Sequence, residues 1–277
     1  MKRVCAYRAN KILFNFLKSN DLVGTLILPA NICPDVVDTL LYAGCTLQFV
    51  DINMQSLCLD LSLAKQYAKE AKALLFVHTY GVEDSYAYGF ERIKEINPNI
   101  AIIDDRCLCF PAAELMQSDA DLVLYSTGEK KQVELGKGGI GYVADGWKYE
   151  DIIVPENSVL TNEQWNIDAQ LLKVKTDEVI KHKNKLNAIY HANIPNTYQL
   201  SNPYQHWRFN IVVKNKAAVL EEIFNAGLFA SGHYSPLADN CPNAQYLYEH
   251  VINLFNDFYF TEDKTKTICE IINMKIR

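Results

Sequence analysis

The chain has no run approaching the ~18 consecutive apolar residues that a membrane-spanning helix needs, although 49% of its 277 residues are apolar. Nor does it have a block of one charge. Its 27 lysines and arginines are scattered among 33 aspartates and glutamates, for a net charge of −6, which leaves no electrostatic footprint for a nucleic-acid backbone or an anionic membrane. Low-complexity segments and internal repeats are absent. The opening "MKRVCAYRANKILFNFLKSN" lacks the unbroken apolar core and small-residue cleavage site of a signal peptide, because Lys11, Asn15, Lys18 and Asn20 interrupt it at helical spacing. A cytoplasmic protein that binds neither nucleic acid nor membrane is expected.

Metal-ligand spacing is also missing. Of eight cysteines, only Cys107 and Cys109 lie close together, in "DDRCLCFP", with no second pair and no H-x-x-x-H to complete a tetrahedral site. Free, mostly buried thiols in a reducing compartment are expected, and no metal.

What is present is a rhythm. Ile12, Leu13, Phe16 and Leu17 follow a helical period and predict an opening helix. Then strands in "GTLILPA", "TLQFVDI", "KALLFVHTYG", "IAIIDD", "ADLVLYST" and "GIGYVAD" alternate with helices in "PDVVDTLLYAG", "DLSLAKQYAKEA" and "SYAYGFERIKEIN". This βαβα order predicts an α/β fold with a mostly parallel sheet between helical layers. Tyr86, Tyr88 and Phe90 read as packing residues of the last of these helices. After Asp145 the rhythm breaks. A long amphipathic segment, "NIDAQLLKVKTDEVIKHKNKLNAIYHAN", leads to "HWRFNIVV", a helix in "NKAAVLEEIFNAG", the run "LFASGHYSPL" and a final helix near "KTKTICEIINMK". The division expected is a large α/β domain over 1–165, with a linking helix and small α+β domain over 166–277.

Ligands of an open α/β sheet bind beyond the carboxyl ends of its strands. Polar groups stand at several such ends: Pro29-Ala30-Asn31, His78-Thr79-Tyr80-Gly81, Asp104-Asp105-Arg106 and Ser126-Thr127-Gly128. The loop after the last of them, in "YSTGEKKQVELGKGGIGYV", carries Lys130 and Lys131. A carboxylate, a hydroxyl and an amine converging on one crevice suit an aldehyde cofactor such as pyridoxal phosphate, which needs an amine to form a Schiff base, an acid at its ring nitrogen and donors around its phosphate. Taken alone, Asp104 and Asp105 also suit a strand-end turn or a helix cap.

These segments resemble the DegT/StrS-type pyridoxal-phosphate enzymes of the aspartate-aminotransferase fold (fold type I), as a shortened member. "LPANICPDVVDTLLYAGCTLQFVDIN", "FVHTYG", "IIDDRCLC", "YSTGEKKQVELGKGG" and "NAGLFASGHYSPL…CPNAQYLYEHVINL" each look like a family segment. The resemblance implies a three-layer sandwich with a small C-terminal domain, a homodimer, and transfer of an amino group from an amino acid donor to a small-molecule substrate, typically a nucleotide-linked keto sugar. It assigns the Schiff-base lysine to Lys131, because counting from Ser126 and counting back from Gly138-Gly139 both reach it. Lys130 is then a solvent-facing neighbour. By the same resemblance Asp105 would partner the pyridine nitrogen, Ser126 the phosphate, and Arg8 and Ala9 the phosphate at the start of the first helix, where amide groups and a guanidinium favour an anion.

The chain departs from the pattern at Tyr7, where the family has glycine, at Cys33, where many members stack an aromatic on the cofactor ring, and at Leu108, where a Gln or His stands. His78 and His233 are weaker candidates for contact with substrate, each otherwise a structural histidine. Three other readings remain open at this stage: a protein of this fold that has lost transamination, an enzyme using the same cofactor for decarboxylation, elimination or dehydration, and, remotely, a metal hydrolase built on Cys107 and Cys109.

Overall fold

The computed structural model describes all residues except 83–88, 116–117, 157, 202–204 and 277. The main sheet has seven strands: β1 (Lys2–Ala6), β2 (Thr25–Pro29), β3 (Thr46–Val50), β4 (Ala73–Val77), β5 (Ala101–Asp105), β6 (Leu122–Ser126) and β7 (Gly139–Val143), in the order β1-β7-β6-β5-β4-β2-β3. Strands β2 to β6 run parallel, while β7 is antiparallel to both β6 and β1. The central strands are buried on both faces, which explains their continuous apolar runs.

Two helical layers cover the sheet. Helices α1 (Ala9–Ser19) and α2 (Pro34–Ala43) pack on one face with Leu26, Leu28, Leu75, Ile103 and Leu124. Helices α3 (Leu61–Ala68) and α4 (Phe90–Ile96) pack on the other with Ile27, Leu74, Phe76, Ile102 and Val123. Odd and even positions of each strand thus serve opposite layers. The α1 residues Ile12, Leu13, Phe16 and Leu17 are at most 1% exposed. Each such side chain contributes about 1.5–3 kcal/mol by leaving water, so packing rather than helix propensity holds α1 in place. Of the expected aromatic cluster, Phe90 is buried edge-on to Phe76 at 5.3 Å; Tyr86 and Tyr88 lie outside the described residues.

Helix α5 (Ala169–Asn193) joins the two halves. At about 1.5 Å per residue its 25 residues span roughly 37 Å; Leu172 and Val179 enter the core of the large sheet, and Leu186 and Tyr190 that of the small one. The small sheet orders β8 (Phe209–Val212), β10 (Val251–Leu254) and β9 (Ala230–Gly232) antiparallel, with α6 (Lys216–Asn225), α7 (Pro242–His250) and α8 (Glu262–Lys275) alongside. Contacts near the end of β3 help tie this unit to the first. Asp51, just after β3, accepts from the amides of Asn243 (3.0 Å) and Ala244 (2.9 Å) and so caps α7. A satellite core of Ala30, Ile52, Tyr80, Leu247 and Val251 lies between them. Among the described residues no helix is long and apolar enough to cross a membrane.

Strand β7 passes so close to α1 that a Cβ at Gly139 would lie 2.4 Å from the Ala9 nitrogen. Because the obstacle is backbone, Gly139→Ala is expected to lower stability by about 1–3 kcal/mol, read as a reduced urea midpoint at unchanged m-value.

Candidate active site

A cavity of about 280 Å³ opens at the carboxyl ends of β4, β5 and β6 on the α1/α2 side of the sheet. Alternation decides what reaches it. Val77, Asp105 and Ser126 share the face of Leu75, Ile103 and Leu124, and all three line the cavity. The Asp105 Oδ1 accepts from the Cys107 amide at 2.8 Å, which orients the carboxylate. Ser126 Oγ accepts from the Gly128 amide at 3.2 Å and donates to the Gly138 carbonyl at 3.4 Å. Helix α1 begins at the same cavity: Arg8 as its N-cap residue and Ala9 and Asn10 in its first turn, whose amides precede the helix's first bond, from Lys11 N to the Arg8 carbonyl (3.1 Å).

The lysine loop, residues 127–138, is closed at its base. Thr127 N donates to the Gly138 carbonyl (2.9 Å), Thr127 Oγ1 to the Lys137 carbonyl (2.7 Å), and Gly138 N to the Tyr7 carbonyl (2.7 Å). Lys131 is half-buried and lines the cavity, whereas Lys130 is exposed at its rim. Lys130 adopts a left-handed backbone, φ +60°, which costs a residue with a Cβ roughly 1–2 kcal/mol. Two hydrogen bonds of about 0.5–1.5 kcal/mol each offset that cost: its amide donates to Glu134 Oε2 (3.0 Å) and its carbonyl accepts from Trp207 Nε1 (3.0 Å).

Of the residues singled out in the sequence, the structure brings Lys131, Asp105, Ser126, Arg8, Ala9, Cys33, Leu108 and His233 to this one cavity. The exception is His78. As an even-numbered neighbour of Phe76 it faces the opposite layer, 3% exposed, with Nε2 2.6 Å from Asp104 Oδ1 and Nδ1 2.6 Å from the Val82 carbonyl. The expectation that His78 touches substrate is therefore corrected: the strand's alternation turns it away. Both ring nitrogens face acceptors, a setting that favours the protonated ring. Burial alone would lower its pKa, but the Asp104 hydrogen bond and charge, with Val82, leave it raised. Burial would likewise raise Asp104, yet His78 and Arg106, which bridges it at 2.8 Å, leave it lowered.

His233 sits differently. Its Nε2 accepts from Asn31 Nδ2 at 2.9 Å, its ring meets Tyr80 edge-on at 5.1 Å, and burial, aided by the Lys216 charge, pushes its pKa down to about 4. It is a neutral imidazole on the cavity wall. Sequence reasoning missed its neighbour Tyr234, whose hydroxyl meets the Cys33 thiol and whose pKa burial raises; adjacency to His233 was the available signal. It also missed Lys137, at the rim with its amine 5.3 Å from the Tyr7 ring centroid. Cys107, weighed in the sequence only as a metal ligand, lines the cavity as well, and burial and the Asp105 charge hold its thiol well above its ordinary pKa. All eight cysteines are free, and among the described residues no group of three or more His, Cys, Asp or Glu side chains could hold a metal.

The donor set matches an aromatic aldehyde phosphate: an acid on the cavity floor, an amine at its side, and a hydroxyl and helix amides where an anion would lie. Gly138 and Gly139 keep that corner open, since a Cβ at the first would meet Thr127 Oγ1 at 2.3 Å and at the second the first residue of α1.

The buried His78–Asp104 pair has a pH signature. The raised histidine stabilises fully below its unfolded value of 6.5 and loses this as pH rises through its higher folded value; the lowered aspartate stabilises fully above 3.8 and loses this as pH falls through its lower one. The stability gap between wild type and His78→Gln is expected to be widest between those two unfolded values and to narrow toward alkaline pH, measured by urea unfolding across pH.

Comparison with known proteins agrees with this geometry. The model of the DegT/DnrJ/EryC1/StrS aminotransferase family matches residues 9–166. No curated protein matches the chain. Among solved structures, Helicobacter pylori PseC, an aminotransferase involved in pseudoaminic acid biosynthesis, is 14% identical with a TM-score of 0.77, over 100% of this chain and 87% of that one. DesI in the presence of its TDP-sugar product is 16% identical with a TM-score of 0.78, over 99% and 80%. The PMP form of Spr1654 from Streptococcus pneumoniae, described as a sugar aminotransferase, is 16% identical with a TM-score of 0.77, over 99% and 87%. At these identities the structures establish the fold, and the family model, covering more than half of the sequence, establishes descent: the chain belongs to the DegT/DnrJ/EryC1/StrS aminotransferase family.

Proposed function

We propose that this aminotransferase uses pyridoxal 5'-phosphate and moves an amino group from an amino acid donor to a nucleotide-linked keto sugar or a related small metabolite. The observation that carries the reading is the meeting of Asp105, Lys131 and Ser126 with the start of α1 in one cavity. Bound there, the cofactor would supply an aldehyde for amine exchange and a ring that stores the electron pair released at the donor's Cα. Lys131 would hold it covalently through Nζ. Asp105, oriented by the Cys107 amide, would hold a proton at the ring nitrogen, and Ser126, Arg8 and the α1 amides would take the phosphate.

The Lys131 Nζ would also serve as the base that takes the proton from the donor's Cα and as the acid that returns it. Cations at the rim, Arg8, Lys130 and Lys137, suit an anionic substrate entering from solvent. His233, neutral and tied to Asn31, offers a ring nitrogen to a substrate hydroxyl or carbonyl. The reading places the cofactor half in residues 1–165 and a covering half in 166–277, in a cytoplasmic homodimer.

The chain mixed with pyridoxal phosphate is expected to gain visible absorbance, and borohydride to fix the cofactor on Lys131 by peptide mass. Lys131→Ala should abolish both, and Lys130→Ala neither. Colour that persists in Lys131→Ala would end this assignment. With L-glutamate as donor, Asp105→Asn should slow the half-reaction about 10- to 100-fold, the equivalent of one charged hydrogen bond, measured by stopped-flow absorbance.

A further inference from the structure

The residue before Lys131 is gripped from the other half of the molecule. Lys130 holds its left-handed backbone between two side-chain contacts, Glu134 on its amide and the Trp207 indole on its carbonyl, both at 3.0 Å. Glu134 is itself held, since Tyr259 Oη donates to its Oε1 at 3.2 Å. Trp207 and Tyr259 both lie beyond α5, so the small unit reaches across at two points. The indole in turn stacks on Tyr80, ring centroids 6.3 Å apart and planes within 16°, and Tyr80 meets the cavity residue His233 edge-on at 5.1 Å. Tyr80 is wholly buried and also left-handed, φ +58°. A continuous line of contacts therefore runs from His233 on the cavity wall, through Tyr80 and Trp207, to the peptide group that joins Lys130 to Lys131.

We propose that Trp207 is a positioning residue for Lys131: by holding the Lys130 carbonyl, the small unit sets the direction in which the next side chain enters the cavity. The inference rests on the reading of Lys131 as the cofactor-holding amine. The geometry makes the grip specific. A residue in the left-handed region reverses the course of the chain, so the side chain after it turns inward only while that conformation is kept. Lysine has no intrinsic preference for that region, and the peptide groups flanking Lys130 have no regular secondary structure to hold them. Release of either contact lets Lys130 relax to an ordinary backbone and swings Lys131. Movement of the small unit when substrate meets His233 would reach the same peptide along the same line.

Trp207→Phe tests this, because it keeps a ring to stack on Tyr80 and removes only the N–H. In the chain without cofactor, amides of residues 128–136 should exchange with deuterium faster than in wild type. With pyridoxal phosphate, the pH midpoint of the bound absorbance should shift and borohydride trapping on Lys131 should slow by about 3- to 10-fold, the loss expected from one hydrogen bond, at nearly unchanged KM for L-glutamate. Adding Lys130→Gly, which accepts a left-handed backbone without strain, should restore part of the trapping rate, a rescue that lost packing alone would not show. Tyr259→Phe, on the exposed side of the same grip, should act in the same direction more weakly, and it carries the test if Trp207→Phe does not fold. A variant with wild-type exchange, midpoint and trapping, or a double variant no better than Trp207→Phe, overturns the grip. A wild-type chain that forms no adduct at Lys131 overturns the underlying reading, and the grip with it.

Discussion

Asp104 and Asp105 are adjacent in sequence and point to opposite faces of β5, and the arrangement of the site follows from that. On one face Asp105 joins Val77 and Ser126 at the floor of the cavity. On the other Asp104 is neutralised by His78 and Arg106, inside a layer with little access to water. A buried carboxylate is tolerated only when paired, so the back of the strand needs its cations as much as the front needs its open acid. A slip of one residue in the register of β5 would exchange the two aspartates and leave neither with suitable surroundings. The apolar alternation Ala101–Ile103 against Ile102 prevents such a slip, because each side chain already has a core to fill.

The remaining parts of the site come from distant points of the chain. Helix α1 brings its first turn because β7, more than a hundred positions later, offers glycine where the helix must approach. The small unit is anchored through the Asp51 cap on α7 and the satellite core around Tyr80, and this anchorage delivers His233 and Tyr234 to the cavity and Trp207 to the lysine loop. Neither unit holds the site alone: the floor belongs to the large sheet, the wall and the grip to the small one.

Legibility followed the range of the interactions. The parallel strands and their helices were readable because each is a buried run or an amphipathic turn with its own start and stop residues, such as Pro34 and Gly44 around α2. Strand β1 was not. It is a short edge strand, "KRVCA", with two cations and alternate burial, made a strand only by pairing with β7. Helix α7 was hidden as a separate element by having only Ala244 and Leu247 buried, and β10 by following it without a turn residue. The histidines show the same boundary. Both stand in motif-like stretches, but strand parity sends His78 to the back of the sheet, and a contact with Asn31, some two hundred positions away, sets His233 on the cavity wall.

The sequence by itself determined the alternation of elements, because strand periodicity is a local property that a linear pattern records; the expectation of Asp105 and Lys131, rather than Asp104 and Lys130, came from its resemblance to a family. The tertiary structure decided which face each polar strand end serves, that Arg8, Ser126 and His233 share one cavity, and that Trp207 holds the peptide before Lys131. These outcomes depend on sheet order and on contacts between units far apart in the chain, and such contacts come into being only when the buried surfaces of both units have been satisfied together.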